Sequence, residues 1–534
     1  MAALLAAPAA GARAARSDGE LLRAYARAEA SADAEEASAA YALLLAASPD
    51  SPLIAERAMR RAVAVGDRAL ALRAAALVVA GNPGSPEARL LLLDEARSRR
   101  RWDDAEAQLA GLAREPVFGL LVPILRAWVD HDRGRADAAV GLSDPAVAAY
   151  AGEHRALLLV VQHGPAAAGE VERLAASDAR KAERLRIVAA SELARRGKQD
   201  AATALLTGDE RTIVIARDLI AATGRLSAGR FDGGAGISEL LGRVAADIVG
   251  QDAPETALAY ARLADLISPA NGAARLLAAE LLAARGDADR ALAILQPLVH
   301  DPLYADAADE ARIRILSESD RFAEAVAAAS AGADRVGGAV EWGRLGDALM
   351  GADRFAEAAA AFGRALTAPR TSGAPAEWLL HLLRGSALDQ AGGWTEAKAA
   401  LERAHALAPD EAIVLNYLGY AQIEKRENIA AAQALIEQAA RLRPDDAAIT
   451  DSLGWSYFLR GRTAEAIPLL EKAAAGSADD PAIHEHLGDA YYTAGRRVEA
   501  RFAWDRALAG IKPDGALRVR AKIDRGLSPE LAAP

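Results

Sequence analysis

The sequence contains no cysteine. This absence excludes disulfides, thiolate metal sites and cysteine nucleophiles. Aromatic residues make up only 4% of the chain, although apolar residues make up 52%. Alanine and leucine, which are strong helix formers, therefore supply most of the apolar surface. No uninterrupted apolar run reaches the roughly 18 residues that a membrane span needs, so we predict no transmembrane segment. The chain is expected to be helical and packed with small side chains.

Basic charge is also in short supply. Lysine and arginine total 63, whereas aspartate and glutamate total 74, which gives a net charge of −11. A general binder of the phosphate backbone needs a basic surface, so we predict no nucleic-acid partner. The sequence lacks both the G-x-x-x-x-G-K-[ST] phosphate loop and the G-x-S-x-G nucleophile elbow. We therefore predict no enzymatic activity, no catalytic residues and no cofactor.

The stretch HEHLG at 484–488 is the one place that suggests a metal site. Residues two apart on a helix point about 200° apart, because each residue turns the helix by about 100°. His484 and His486 therefore cannot share a metal ion. The protease motif H-E-x-x-H would need a histidine where Gly488 stands. We predict no metal site here.

The N-terminal stretch MAALLAAPAAGARAARS (1–17) has a short apolar run and an A-x-A pattern at Ala12 and Ala14. Such a pattern is typical of the region before a signal cleavage site, but the basic start of a signal peptide is missing. Two interpretations stay open: a truncated signal peptide, or a disordered tail. The first favours the periplasm or cell envelope, and the alternative location is the cytoplasm.

A repeated pattern with a period of about 34 residues runs through the C-terminal half. Gly454 and Gly488 are one period apart, and each is followed at matching distances by a tyrosine, a second glycine and an alanine. Gly419 and Gly385 continue the series upstream. Small residues at these places let two helices approach closely, and large apolar residues fill the space between them. One such pair cannot bury its own apolar face, so the pairs must stack.

This pattern resembles the tetratricopeptide repeat (TPR), most specifically over 378–514, and is similar to bacterial envelope-type TPR scaffolds or adaptors. The resemblance implies an all-α fold, a right-handed superhelical solenoid of helix-turn-helix repeats. The expected segments are 1–17 (signal peptide or tail), 18–149 (degenerate repeats), 150–237 (poorly matching helical repeats), 238–514 (eight repeats) and 515–534 (C-terminal capping helix and tail). The glycines of FDGGAGIS (231–238) predict a linker.

The resemblance also implies a groove lined by the first helix of each pair, where a partner segment binds. Carried over to this sequence, the groove residues are Asn416, Tyr417, Tyr420, Glu424, Asp451, Trp455, Phe458, Glu485, His486, Asp489 and Tyr492. Aromatic side chains in a groove are typical anchors for a partner. The acidic residues favour a protein or peptide partner with apolar and basic side chains.

The expected function is a non-enzymatic protein-binding scaffold or adaptor. Two alternatives stay open. The chain is a structural or assembly factor that acts through its convex face and self-association, or it is a regulatory binder of small peptides. The groove aromatics themselves have a second interpretation, in which they only fill the contact between adjacent repeats.

Overall fold

The structure, a computed structural model, describes residues 34–533 except 49, 82–83, 117, 144–147, 178, 227–229, 252 and 512, together with positions 20, 23, 24 and 27. The predicted signal peptide or tail at 1–17 lies outside these residues. Within them the regular elements are helices and no strand occurs, so the all-α prediction is confirmed. None of the described helices is long and apolar enough to cross a membrane.

The chain forms two compact units, residues 1–321 and 322–534. The helices of the first unit are Ala34–Ala47 (α1), Pro52–Val65 (α2), Arg68–Gly81 (α3), Pro86–Ser98 (α4), Trp102–Leu112 (α5), Val122–Asp132 (α6), Ala148–His163 (α7), Ala168–Ser177 (α8), Ala179–Arg195 (α9), Gln199–Leu205 (α10), Arg211–Thr223 (α11), Gly233–Val249 (α12), Pro254–Ile267 (α13), Gly272–Ala284 (α14), Ala288–Leu295 (α15) and Ala305–Glu318 (α16).

The helices of the second unit are Phe322–Val336 (α17), Ala339–Gly351 (α18), Phe355–Thr367 (α19), Glu377–Gln390 (α20), Trp394–Leu407 (α21), Ala412–Glu424 (α22), Ile429–Leu442 (α23), Ala447–Leu459 (α24), Thr463–Gly476 (α25), Pro481–Thr493 (α26), Arg497–Leu508 (α27) and Pro513–Arg525 (α28). The boundary between the units falls inside the predicted array 238–514. The segment boundaries drawn from the sequence stay predictions.

The first unit is closed by contacts between helices that are distant in sequence. Helix α2 packs against α13, and α4 packs against both α12 and α13. On α9, Arg184 donates hydrogen bonds to Glu239 at the start of α12 and to Asn271, the N-cap of α14, at 2.7 Å each. One buried apolar cluster extends from Ala24 to Ile315. Much of this unit therefore packs around one shared core rather than neighbour by neighbour.

The linker predicted at 231–238 is wrong, because helix α12 begins at Gly233. Its glycines are buried, and they allow close packing instead of flexibility. A Cβ atom on Gly236 would lie 2.1 Å from Cδ2 of Trp128 on α6, and one on Gly233 would lie 2.7 Å from the Trp128 carbonyl oxygen. The amide of Gly233 also donates to Asp132 Oδ1 at 3.0 Å. This glycine-rich stretch is a helix–helix contact.

The second unit is a solenoid of helix pairs. Each helix packs on its neighbours in sequence, and the first helices α22, α24 and α26 also contact one another in turn. The repeat glycine is the point of closest approach within a pair. A Cβ on Gly488 would lie 2.3 Å from Cδ1 of Trp504 on the second helix of its pair. The next glycine, Gly495, turns the chain between the two helices with φ +83°, as the sequence pattern predicts.

Candidate functional site: the inner face of the C-terminal repeats

The candidate site is a layer of side chains through which consecutive first helices of the second unit contact one another; we call it the inner face. Tyr417 on α22 donates a hydrogen bond to Ser386 Oγ on α20 at 2.8 Å. His486 on α26 meets Asp451 on α24. Local capping places these helices, since Asp446 accepts the Ile449 amide at the start of α24. The inner face therefore runs from α20 to α26.

The central part of the inner face is a buried ionic and aromatic cluster. Nδ1 of His486 lies 2.9 and 3.1 Å from the two carboxylate oxygens of Asp451. The Trp455 ring stacks on the His486 imidazole, with ring centroids 4.1 Å apart, and on Phe458, at 4.9 Å. Burial alone would lower the pKa of His486, but the Asp451 carboxylate outweighs it and raises that pKa above its ordinary value.

Helix α22 carries a different set of polar groups along one stripe. Asn416, Tyr420 and Glu424 follow one another at intervals of four residues, so they lie on one side of the helix. All three are half-buried. Burial raises the pKa of the Glu424 carboxyl, and the nearby Asp389 carboxylate adds to the rise. Within the part of the chain that the structure describes, no lysine or arginine forms an ion pair with Glu424, because Lys425 pairs with Asp389 at 3.0 Å instead.

The acidic groups of α26 are engaged by the end of the chain. Glu485 accepts from Arg518 at 2.8 and 2.9 Å and from Lys522 at 2.6 Å. Both oxygens of Asp489 accept from Lys522 at 2.8 Å, and Oδ1 also accepts from Trp504 Nε1 at 2.9 Å. Burial tends to raise the pKa of Glu485, but the two cations lower it overall. For Asp489 burial outweighs Lys522, so its pKa is raised.

The structure thus places the eleven predicted groove residues in two groups. Asp451, Trp455, Glu485, His486 and Asp489 are buried. The half-buried group consists of Asn416, Tyr417, Tyr420, Glu424, Phe458 and Tyr492. The first helices do bring both groups to one face, and contact with a partner stays a prediction for all of them.

The sequence pattern did not predict the residues that form hydrogen bonds with Glu485 and Asp489 of α26. Arg518, Lys522 and Ala533 come from the predicted capping segment, and Trp504 comes from α27. A signal was present, since Lys522 lies one repeat period after Gly488 and so falls at the glycine position of the pattern. A cation therefore stands at a position where the repeats need a small residue.

The two histidines of HEHLG have separate protein contacts. Nε2 of His484 lies 2.8 Å from the Ala478 carbonyl oxygen, whereas His486 faces Asp451. Across the described ranges, no group of three or more histidine, aspartate or glutamate side chains is arranged to hold a metal ion.

Replacing His486 with glutamine is expected to flatten the pH dependence of stability above pH ~6.5. Because the folded-state pKa of His486 is raised, its imidazolium stabilises the fold below the unfolded-state pKa of about 6.5. That stabilisation is lost as the pH rises through the folded-state pKa. Each unit of pKa difference corresponds to about 1.4 kcal/mol. Asp451, Glu485 and Asp489 are the charged groups that hold the proton on His486.

Urea unfolding, followed by circular dichroism from about pH 6 to about pH 9, measures this effect. The matched control is His405→Gln on the second helix α21, which should leave the pH profile unchanged. A His486→Gln profile that is parallel to that of the wild type would show that His486 does not hold its proton through Asp451.

Comparison with known proteins agrees with this repeat geometry. A family model described as tetratricopeptide repeat matches residues 344–392, 382–447, 424–481 and 453–516. Residues 344–516 carry tetratricopeptide repeats. The matches lie within the second unit and include the whole inner face from α20 to α26. No curated protein matches the chain significantly.

Several solved structures are similar to parts or nearly all of this chain. A TPR protein of Thermus thermophilus is 22% identical over 35% of this chain and 98% of its own, with a TM-score of 0.31. A TPR protein from Parabacteroides merdae is 13% identical over 54% of this chain and 97% of its own, with a TM-score of 0.35. A chain of the APC/C hetero-tetramer Cut9–Hcn1 is 17% identical over 96% of this chain and 97% of its own, with a TM-score of 0.39.

Proposed function

We propose that this chain is a non-enzymatic protein–protein interaction scaffold that binds a partner segment on the inner face of its C-terminal repeats. Tetratricopeptide repeats are in general protein-interaction modules. The second unit supports this role because, among its described residues, the main helix contacts of α22 are with its near neighbours α21, α23 and α24. The cell-envelope location stays a prediction, since residues 1–17 lie outside the described residues.

The proposal rests on one observation. Helix α22 has hydrogen-bond acceptors that lack a full set of donors among the described residues. Oδ1 of Asn416 is buried and has no hydrogen-bond donor among the described residues. Glu424 accepts a hydrogen bond from Tyr420 but forms no ion pair there, and burial raises its pKa. A buried acceptor without a donor costs about 1–3 kcal/mol. Donors supplied by a bound segment would recover that cost.

The chemistry of the partner follows from the groups around these acceptors. Glu424 favours a lysine or arginine, and Asn416 favours a backbone amide or another donor. The half-buried rings of Tyr417 and Tyr420 flank them and offer apolar contact area. The expected partner is therefore a protein segment with a basic residue next to apolar ones.

A second candidate function is assembly through the opposite side of the repeats. Val498 and Phe502 lie one turn apart on the second helix α27 and are 67% and 69% exposed. They form an apolar pair on the protein surface, as an interface for self-association would. This alternative makes Phe502, rather than Tyr420, the contact residue.

Site-specific crosslinking separates the two candidates. Because the chain has no cysteine, a single cysteine can carry a photoreactive group at Tyr420→Cys, at Phe502→Cys, or at the background position Ala399→Cys on α21. In extracts of the source cells, we expect one crosslinked partner protein from position 420 only. Self-crosslinks from position 502 would favour the assembly function. Equal products from all three positions would contradict both.

The same capture is then repeated after neutralising Glu424. Glu424→Gln should weaken the crosslink at position 420 about tenfold, because a hydrogen bond to a charged group contributes about 1.5–3 kcal/mol. The matched control is Glu402→Gln, the same change at an exposed position on α21, which should have no effect. A partner that crosslinks equally to both variants would not depend on the acceptors of α22.

A further inference from the structure

The end of the chain, residues 515–533, lies over the inner face at α26; we call it the C-terminal segment. Its two cations, Arg518 and Lys522, are one helical turn apart and pair with the acids of α26 as described above. The Lys522 side chain is fully buried. Beyond the helix, the Ala533 amide donates to Asp489 Oδ2 at 2.8 Å. The chain itself therefore occupies the acidic end of the inner face.

The repeat period shows that this segment takes the place of a further first helix without being a repeat. Lys522 stands one period after Gly488. At Gly488 a side chain would collide with Trp504 of the following second helix. The described residues 526–533 form no second α-helix against α28, so a lysine fits at 522. Instead, the chain turns at Gly526 with φ +86° and passes close to the Tyr492 hydroxyl.

Apolar packing of the C-terminal segment is centred on α27, and Ile523 and Leu527 contact the same cluster. Val519 is fully buried against Trp504 and Ala507 of α27, whereas Leu517 is 73% exposed. Among the described α-helices, α28 has its main backbone contacts with α27 alone. An element that packs closely on one neighbour opens at a lower free energy than elements packed on several. Release of this segment would leave the helix pairs up to α27 in place.

Release would also uncover the acids of α26. Glu485 and Asp489 would lose their cations and lie next to the Asp451–His486 pair and the aromatic rings of α24. The inner face would then offer carboxylates to a bound segment along α26 as well as Glu424 on α22. The spacing of Arg518 and Lys522 describes the ligand that fits these acids, namely a helix with two cations four residues apart.

We propose that the C-terminal segment is an autoinhibitory contact, which masks the acidic end of the inner face until a partner helix with two such cations displaces it. This proposal rests on the proposed function, because it concerns access to the same face. It goes further in predicting that the full chain exists in a masked and an open state.

The first test measures hydrogen exchange on the full chain. Amides of residues 515–525 are expected to exchange at least about tenfold faster than those of α26 and α27, because the segment opens without them. Equal rates in all three elements would overturn the proposal, since the segment would then be an integral cap.

The second test uses the segment as a probe. A labelled synthetic peptide with the sequence of residues 512–534 is titrated into the full chain. Val519→Ala removes packing that holds the attached segment but none of the acids. It should therefore raise the affinity for the free peptide about tenfold. Val498→Ala, the same change at an exposed site on α27, is the matched control and should bind like the wild type.

The outcomes separate this proposal from the proposed function. If Val519→Ala and Val498→Ala bind the peptide equally, the segment does not mask the face, whether or not position 420 crosslinks to a partner. If the peptide affinity rises but Lys522→Met in the peptide alone does not reduce it, the peptide binds elsewhere and masking of the acids is wrong. Peptide binding that rises with Val519→Ala in the chain and falls with Lys522→Met in the peptide supports the proposal.

Discussion

Replacing Asp489 with lysine is expected to lower the free energy of unfolding of the second unit by about 3–5 kcal/mol, the usual cost of breaking a buried ion pair from one side. Asp489 is fully buried, and its oxygens accept from Lys522, Trp504 and the Ala533 amide. A lysine at this position would lose all of these bonds. It would also place a second cation against Lys522. The midpoint of urea unfolding, followed by circular dichroism, measures the loss.

Two further variants test the cause. Asp505→Lys makes the same change at an exposed position on α27 and should shift stability by no more than about 0.5 kcal/mol. Combining Asp489→Lys with Lys522→Met removes the facing cation, so that the new lysine can pair with Glu485. The double variant should therefore be more stable than the sum of the two single changes predicts. An unfolding midpoint for Asp489→Lys equal to that of the wild type would mean that Asp489 is in contact with water.

This prediction also shows how far the sequence describes the candidate site. The repeat period correctly places Asp451, Glu485, His486 and Asp489 on first helices, because helical spacing depends only on local sequence. It does not show which of them are buried. Glu485 and Asp489 are covered by Lys522 and Ala533, which lie in a segment that lacks the repeat motif. Contacts from outside the repeats are the part of the site that repeat analysis does not supply.

The fold shows the same difference between contacts that the repeat pattern predicts and contacts that it does not predict. In the second unit, neighbour-to-neighbour packing is encoded by glycines such as Gly488, so the sequence predicts it well. In the first unit, α9 and α3 contact elements that are far along the chain, as when Arg184 meets Asn271 or Arg68 meets the Leu266 carbonyl at 3.4 Å. Such pairs have no local pattern, and a repeat period predicts only adjacent contacts. The closed core of the first unit therefore emerges only from the structure.

Gly236→Ala is the second large effect that we expect, and it tests the part of the fold where the sequence was misleading. Glycines between helices are typical of a linker, and in a linker an alanine would be harmless. In the structure, a Cβ on Gly236 would lie 2.1 and 2.2 Å from Cδ2 and Cε2 of Trp128. Trp128 is fully buried and donates to His154 Nδ1 at 3.1 Å, so its ring has no room to move.

We therefore expect Gly236→Ala to destabilise the first unit by about 3 kcal/mol, at the upper end of the cost of overpacking. Gly242→Ala is the matched control on the same helix, α12. Its Cβ would lie at an ordinary 3.5 Å from the Ala274 Cβ, and alanine is the better helix former by about 1 kcal/mol. Thermal unfolding of both variants decides between a helix contact and a linker. If Gly236→Ala is as stable as Gly242→Ala, α12 does not pack on Trp128, and the glycines act as the sequence pattern suggests.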